Sequence, residues 1–144
     1  MSPMYETYLV DDIPPQTLDN ASATTAWRDA GDADWVTAFV QVGATDITFD
    51  AKIEQATDSS GTGAKDVTSA AVTQLTATDD NKYVSIDLEP AKLDIANNFN
   101  YVRLSVTAGD GTTGTTCSGL LMLCARHQPP TQPTEYAEQI LVAG

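Results

Sequence analysis

Few residues in this chain could do chemistry, and their spacing does not favour it. His127 is the one histidine, and it stands two residues before Pro129-Pro130, where no rigid element would orient an imidazole. A Ser-His-Asp or Cys-His site needs a positioned base, so no hydrolase is expected. A zinc site would have to join His127 to Cys117 and Cys124 with carboxylates, a spacing that fits no zinc pattern. There is no Walker loop, and no GxGxxG follows an alternating run. The expectation is a protein that is not an enzyme and carries no cofactor and no metal.

Two features remain as candidate binding chemistry. Asp29, Asp32 and Asp34 could offer oxygens to calcium, but the loop lacks the 12-residue EF-hand pattern, and a solvated acidic turn is the plainer reading. Trp27, Trp35, Tyr83 and Tyr101 could stack on sugar rings, or the two tryptophans could close the ends of a folded domain. The cysteines read as buried free thiols. On one strand, seven residues apart, they would lie about 23 Å from each other, far beyond the ~7 Å that a disulfide allows.

The elements that must position these residues are strands. Side chains in a strand change face at every residue. Val84, Ile86 and Leu88 alternate with Tyr83, Ser85 and Asp87, and Val102, Leu104 and Val106 alternate with Tyr101, Arg103, Ser105 and Thr107. Ile47, Phe49, Ala51 and Ile53 alternate with Thr48, Asp50, Lys52 and Glu54. Each run predicts one buried and one wet face, and the runs at 83–88 and 101–107 are expected to form a strand pair that needs a second layer over its apolar side. Val102, Leu104, Ile86, Phe49 and Ile53 are the expected core. In Trp35-Val42 the residues Val36, Ala38, Val40 and Val42 share a side while Phe39 stands on the other. That strand is expected to be central, or to meet another protein with its outer face. Residues 35–42 and 46–55, separated by Gly43-Ala44-Thr45, are expected to pair as a hairpin. Thr115-Arg126 is apolar on both sides and is expected to be buried. Thr24-Arg28 and pieces of Val67-Leu75 are further short strands, and Asp58-Gly63 is an exposed loop.

The 144 residues suit one domain with a real core. The net charge of −13, from 7 Lys+Arg against 20 Asp+Glu, argues against nucleic acid or an anionic membrane as partner. Fifteen of the acids are Asp, and with abundant Thr, Ser and Gly this favours strands joined by many turns. No run approaches the ~20 apolar residues of a membrane helix. MSPMYETYLVDD lacks the basic start and apolar centre of a signal peptide, so synthesis and use without export are expected.

The fold expected is all-β: an antiparallel β-sandwich, jelly-roll or immunoglobulin-like, over residues 21–126. Residues 1–20 are expected to form an N-terminal arm, in which Tyr5, Tyr8, Leu9 and Val10 could add a short strand before Pro14-Pro15, which cannot donate to a ladder, stops it. Residues 127–144 are expected to form a Pro-rich C-terminal arm, whose apolar tip Ile140-Leu141-Val142 docks on another surface or folds back on its own sheet.

The order WVTAFVQVGA, ITFDAKIEQATDSSGTGAKDV, QLTATDDNKYVSIDL, NFNYVRLSVTAG, then an apolar strand and a Pro-rich end, resembles a group of small virion proteins of tailed phages and prophages. The likeness covers roughly residues 25–126 and is densest at KIEQATDSSG and NYVRLSVTAG. It implies a sandwich built into a particle, as a decoration or cement protein on the phage head, made in the host cytoplasm. Its partners would be the major capsid protein and copies of itself, as a homotrimer. Tyr5, Tyr8, Tyr136, Ile140 and Leu141 are then the candidate interface anchors. The alternative is a receptor- or carbohydrate-binding head or tail appendage on the same sandwich.

Overall fold

The computed structural model describes residues 6–125. Nine strands build it: β1 (Glu6–Leu18), β2 (Ala21–Thr24), β3 (Arg28–Asp29), β4 (Trp35–Thr45), β5 (Phe49–Ala56), β6 (Lys65–Ala71), β7 (Tyr83–Leu88), β8 (Tyr101–Ala108) and β9 (Thr115–Ala125). They form two sheets whose pairings are all antiparallel. The first has the order β1-β9-β4-β7, and the second β2-β8-β5-β6 with β3 also on β8. The two sheets enclose one core, which makes the domain an antiparallel β-sandwich, as the alternation predicts.

Each sheet turns one side of its alternation inward. From the first sheet come Val10, Ile13, Val36, Ala38, Val40, Val42, Leu121 and Leu123, all buried; from the second come Phe49, Ala51, Ile53, Val102, Leu104 and Val106. Of the five expected core residues, Phe49, Ile53, Val102 and Leu104 are fully enclosed. Ile86 packs on the core but is only partly buried, because β7 is an edge strand. At Gly119 the two layers approach closely: an added Cβ would sit 2.8 Å from Leu104 Cδ2.

Three expectations are corrected. Residues 35–42 and 46–55 do not pair: β4 lies in the first sheet and β5 in the second. The link Asp46-Ile47-Thr48 crosses between layers, so the two apolar faces meet across the core instead of lying side by side. A buried hydroxyl pair, Thr45 with Thr115 at 2.6 Å, and the Thr45 hydroxyl donating to Ile47 O fix that corner. The strands at 83–88 and 101–107 are likewise split, one per sheet. Between them two short 3-10 turns, Pro90–Lys92 and Ile95–Asn97, carry the chain across, with Leu93 buried and Asn98 left-handed.

The third correction concerns the N-terminus. Residues 6–18, expected within an arm, are a full strand on the edge of the first sheet, paired with β9 from Glu6↔Ala125 to Leu18↔Thr115. Pro14 and Pro15 are tolerated because the register breaks between Ile13 and Gln16, and an edge strand offers unpaired positions where a missing N–H costs little. The strand expected at 24–28 is instead the break between β2 and β3, where the Thr25 hydroxyl accepts the Leu104 N–H. The C-terminal arm, 127–144, lies outside the described residues.

The aspartates explain how so many turns stay ordered. Asp46 accepts backbone N–H groups of Thr112, Thr113 and Gly114 at 2.7–3.0 Å. Asp58 accepts those of Ser60 and Thr62, and Asp79 accepts Thr76 N–H and the Lys82 ammonium. Asp94 takes the Lys65 ammonium and the Asn97 amide.

All four carboxyls are held below the ordinary 3.8. The largest cause is the backbone bond from Thr113 for Asp46, the Thr62 hydroxyl for Asp58, the Lys82 ammonium for Asp79 and the Lys65 ammonium for Asp94. Asp79 falls to about 2. A carboxyl lowered by folding binds protons more weakly in the folded than in the unfolded chain. Its contribution is therefore complete above the unfolded value and lost as pH falls through the folded one. Urea unfolding followed from pH 5 downward should show stability declining from about pH 4 to about pH 2. Asp79→Asn should flatten the lower part of that decline. An unchanged profile in the variant would show that Asp79 is not part of it.

Candidate functional site

The two outer faces of the sandwich differ in kind. On the second sheet the outward side of β5 carries Asp50, Lys52 and Glu54, and that of β8 sets Arg103 among Tyr101, Ser105 and Thr107. Glu54 bonds Arg103 at 2.6 Å and Lys52 at 3.2 Å, and Lys52 reaches Asp66 at 2.6 Å. Arg103 also covers the Trp27 ring, 4.5 Å from its centroid. These bonded, interspersed charges are what a solvated sheet face carries.

The outer face of the first sheet carries a stripe of apolar side chains among polar ones such as Ser85 of β7, which pairs with Phe39. The inward turn of Val36, Ala38 and Val40 directs Trp35, Thr37, Phe39 and Gln41 outward. On β9 the burial of Cys117, Gly119, Leu121 and Leu123 directs Ser118, Leu120, Met122 and Cys124 outward. Phe39 pairs directly with Leu120, Thr37 with Met122 and Trp35 with Cys124. From β1, Leu9 pairs with Met122. From β7, the Tyr83 ring lies 5.3 Å from that of Phe39, tilted by 30°. Trp35 is 43 %, Tyr83 68 % and Leu120 37 % exposed. The carboxylates lie at the rims: Asp12 on β1, opposite Leu120, and Asp87 on β7, which accepts the Thr37 hydroxyl at 2.7 Å.

Two concavities adjoin this face. A shallow groove of about 420 Å³ at one end is floored by Gly43 and Thr116 and flanked by Pro15, Lys82 and Tyr83. A cleft of about 450 Å³ is lined by β6 and β7 residues and their neighbours: Trp35, Thr68, Ser69, Ile86, Leu88, Glu89 and Lys92. Ser69 has φ +63, a conformation few side-chain-bearing residues adopt, at the irregular register of β6 on β5.

The four aromatics singled out in the sequence do not form a row. Trp27 is half-buried beneath Arg103 and beside Gly61, where a Cβ would collide with its indole. Tyr101 is half-buried on β8. Trp35 and Tyr83 belong to the apolar face of the other sheet. Asp29 accepts the Gly31 N–H in its own turn. Asp29, Asp32 and Asp34 do not gather: among the described residues no three His, Cys, Asp or Glu side chains come together as a metal site would require. Cys117 and Cys124 are both free thiols on opposite sides of β9. Burial raises the Cys117 thiol to about 11, so it is protonated and unreactive near neutrality.

Of the expected interface anchors, Tyr8 is described. It is half-buried and packs on the core from β1, opposite Leu123, which removes it from the set of free-standing arm residues. Tyr5, Tyr136, Ile140, Leu141 and also His127 lie outside the described residues. The apolar face itself is half visible in the sequence, as Phe39 opposite the Val36-Val42 series. Leu120 and Met122 stay hidden there, because a strand apolar on both sides reads as buried on both.

Neither a protein-family model nor a curated protein matches the chain. Among solved structures, the fold is similar to a CBM4 structure with a TM-score of 0.43 and 15 % identity, over 83 % of this chain and 86 % of that one. It is also similar to the Tobacco streak virus coat protein with a TM-score of 0.40 and 11 % identity, over 92 % and 90 % respectively.

Proposed function

We propose that this chain is a structural protein of a virion, a decoration or cement protein that acts by binding protein surfaces and not by catalysis. The observation that carries the reading is the difference between the two outer faces: bonded charges on one sheet, and on the other an apolar stripe of Trp35, Phe39, Leu120, Met122 and Tyr83 among polar side chains. Isolated exposed hydrophobics are ordinary, but neighbouring ones on adjacent strands favour an interaction site. The phage-protein resemblance over residues 25–126 supports a particle as the setting, with the major capsid protein as partner on the outer surface of the head. The net charge of −13 suits a protein that must not bind packaged DNA.

The test is co-sedimentation of the purified full chain with undecorated phage heads. Saturable binding at a fixed ratio to the shell protein, and increased resistance of the heads to dilution or heating, are expected. Absence of binding, or a location at the tail tip, would overturn it.

One feature favours a second reading, a glycan-binding appendage. The cleft lined by β6 and β7 residues includes the exposed Trp35 indole together with hydroxyl, carboxylate and ammonium groups, the composition that sugar rings and their hydroxyls need. If that reading holds, Trp35→Ala should abolish retention on a glycan array while leaving the fold intact.

A further inference from the structure

We infer that the chain beyond β9 returns to the free edge of β7, where the segment from Gln139 to Ala143 adds an antiparallel strand beside the cleft lined by β6 and β7. The inference does not rest on the reading of the outer face of the first sheet, which the added strand leaves open.

The edge of β7 is built to accept a strand. Among the described residues β7 pairs with β4 alone. The Val42 N–H donates to the Lys82 carbonyl, and bonded and non-bonded pairs alternate along an antiparallel ladder. The backbone groups of Val84, Ile86 and Leu88 therefore turn toward β4, and those of Tyr83, Ser85 and Asp87 turn outward. Such a row of unpaired groups is a template for a further strand. The other edges are less suited. β1 carries Pro14 and Pro15, and its Asp11 carboxylate ties across to the Ala26 N–H and the Arg28 guanidinium. β6 breaks its register and holds Ser69 left-handed, and β2 has four residues. β7 runs for six residues without a break.

The inward side of β7 is incompletely covered. Val84 and Ile86 pack on the core yet are only half-buried, and Ile86 and Leu88 line the cleft together with Ala70 and Trp35. A strand added at this edge would cover apolar side chains as well as satisfy backbone groups.

The end of β9 selects the occupant. Trp35 pairs with Cys124 and Val36 with Leu88, so β9 and β7 finish at the same end of the sheet. The place beside β7 lies three strand spacings from β9, roughly 14 Å at about 4.8 Å each. Residues 126–138 could span roughly 43 Å at about 3.3 Å per residue, and Pro129, Pro130 and Pro133 keep this link out of a ladder. A segment entering beside Leu88 runs opposite to β7, the antiparallel sense of every pairing in the domain. Gln139-Ile140-Leu141-Val142-Ala143 has no charged side chain, so the net −13 does not oppose its docking, and Ile and Val favour strands. Ile140 and Val142 fall on one side of it and would continue the inward series of Val84, Ile86 and Leu88. A short tether also holds the segment at an effective concentration on the order of millimolar, ahead of the same segment of a second copy.

The experiment is amide hydrogen exchange followed by NMR on the full chain, at a low and a high protein concentration, for wild type, Ile140→Pro and Ser85→Pro. The Val102 and Leu104 amides report whether each variant is folded. In the wild type the Tyr83, Ser85 and Asp87 amides should exchange at least tenfold more slowly than in Ile140→Pro, equally at both concentrations. The Val84 and Ile86 amides should stay protected in both proteins. Proline is tolerated where an edge strand turns its N–H outward, so Ser85→Pro should keep β7 on β4 and speed the exchange of the Ile140 to Val142 amides.

Tyr83, Ser85 and Asp87 amides that exchange alike in wild type and Ile140→Pro overturn the inference. Protection that is lost on dilution assigns the segment to β7 of a second copy and overturns it as well. Head binding is measured separately on the same proteins: heads that retain both wild type and Ile140→Pro sustain the proposed function whether or not the segment docks.

Discussion

Leu104→Ala should lower the free energy of unfolding by about 2–5 kcal/mol, the range for leucines truncated inside packed cores. Leu104 is fully enclosed on β8, between Ile53 of β5 on one side and the chain at Thr25 on the other. Its Cδ2 faces Gly119 of the opposite sheet across the core. The same gap makes a reciprocal prediction. Gly119→Ala would place a methyl 2.8 Å from Cδ2, an overpacking that should cost about 1–3 kcal/mol. Combined, the two substitutions should be less harmful than their sum, because the new methyl occupies part of the space that Leu104 vacates. Urea unfolding of the four proteins of this cycle measures the coupling. A loss below roughly 0.5 kcal/mol for Leu104→Ala is typical of a surface position and would move β8 by one residue in register. Strict additivity would mean that Gly119 and Leu104 do not face each other.

Gly114→Ala should cost roughly 2–5 kcal/mol, combining left-handed backbone strain with overpacking. Gly114 immediately precedes β9 with φ +75, and a Cβ there would collide with the carbonyl oxygen of Leu18 and crowd Asp19. Backbone cannot move aside as a flexible side chain can. The position is also held from the other side: its N–H donates to the Asp46 carboxylate at 3.0 Å and its carbonyl accepts the Asp46 N–H. Gly63→Ala is the matched comparison. Gly63 has φ +68, but a Cβ there would only touch the Phe99 ring at 3.5 Å, so it should lose about 1–2 kcal/mol from backbone strain alone. The difference between the two melts measures the collision. Equal losses would mean that the β1–β9 corner yields easily and that Gly114 is needed only for its φ.

The alternation of apolar and polar residues determined, by itself, that this is a strand protein and which side of most strands is buried. Phe49, Ile53, Val102 and Leu104 were readable as core because a period of two leaves one face for them. The odd spacing of Cys117 and Cys124 already put them on opposite sides of one strand. Alternation does not name a strand's neighbour, since a period of two looks the same in either sheet. Residues 35–42 and 46–55 therefore read as a hairpin from their short separation, and the crossing at Asp46-Thr48 puts them in opposed layers instead. Pro14-Pro15 argued against a strand at the N-terminus, and only the break in register with β9 shows how an edge strand admits them. The apolar face raised the same ambiguity in its sharpest form. A strand apolar on both sides is either buried on both or covered by another molecule, and nothing in the local sequence separates these. The tertiary structure places a second layer over one side of β4 and β9 among the described residues and leaves Phe39, Leu120 and Met122 on the other, because both sheets turn their more completely apolar faces toward the single core.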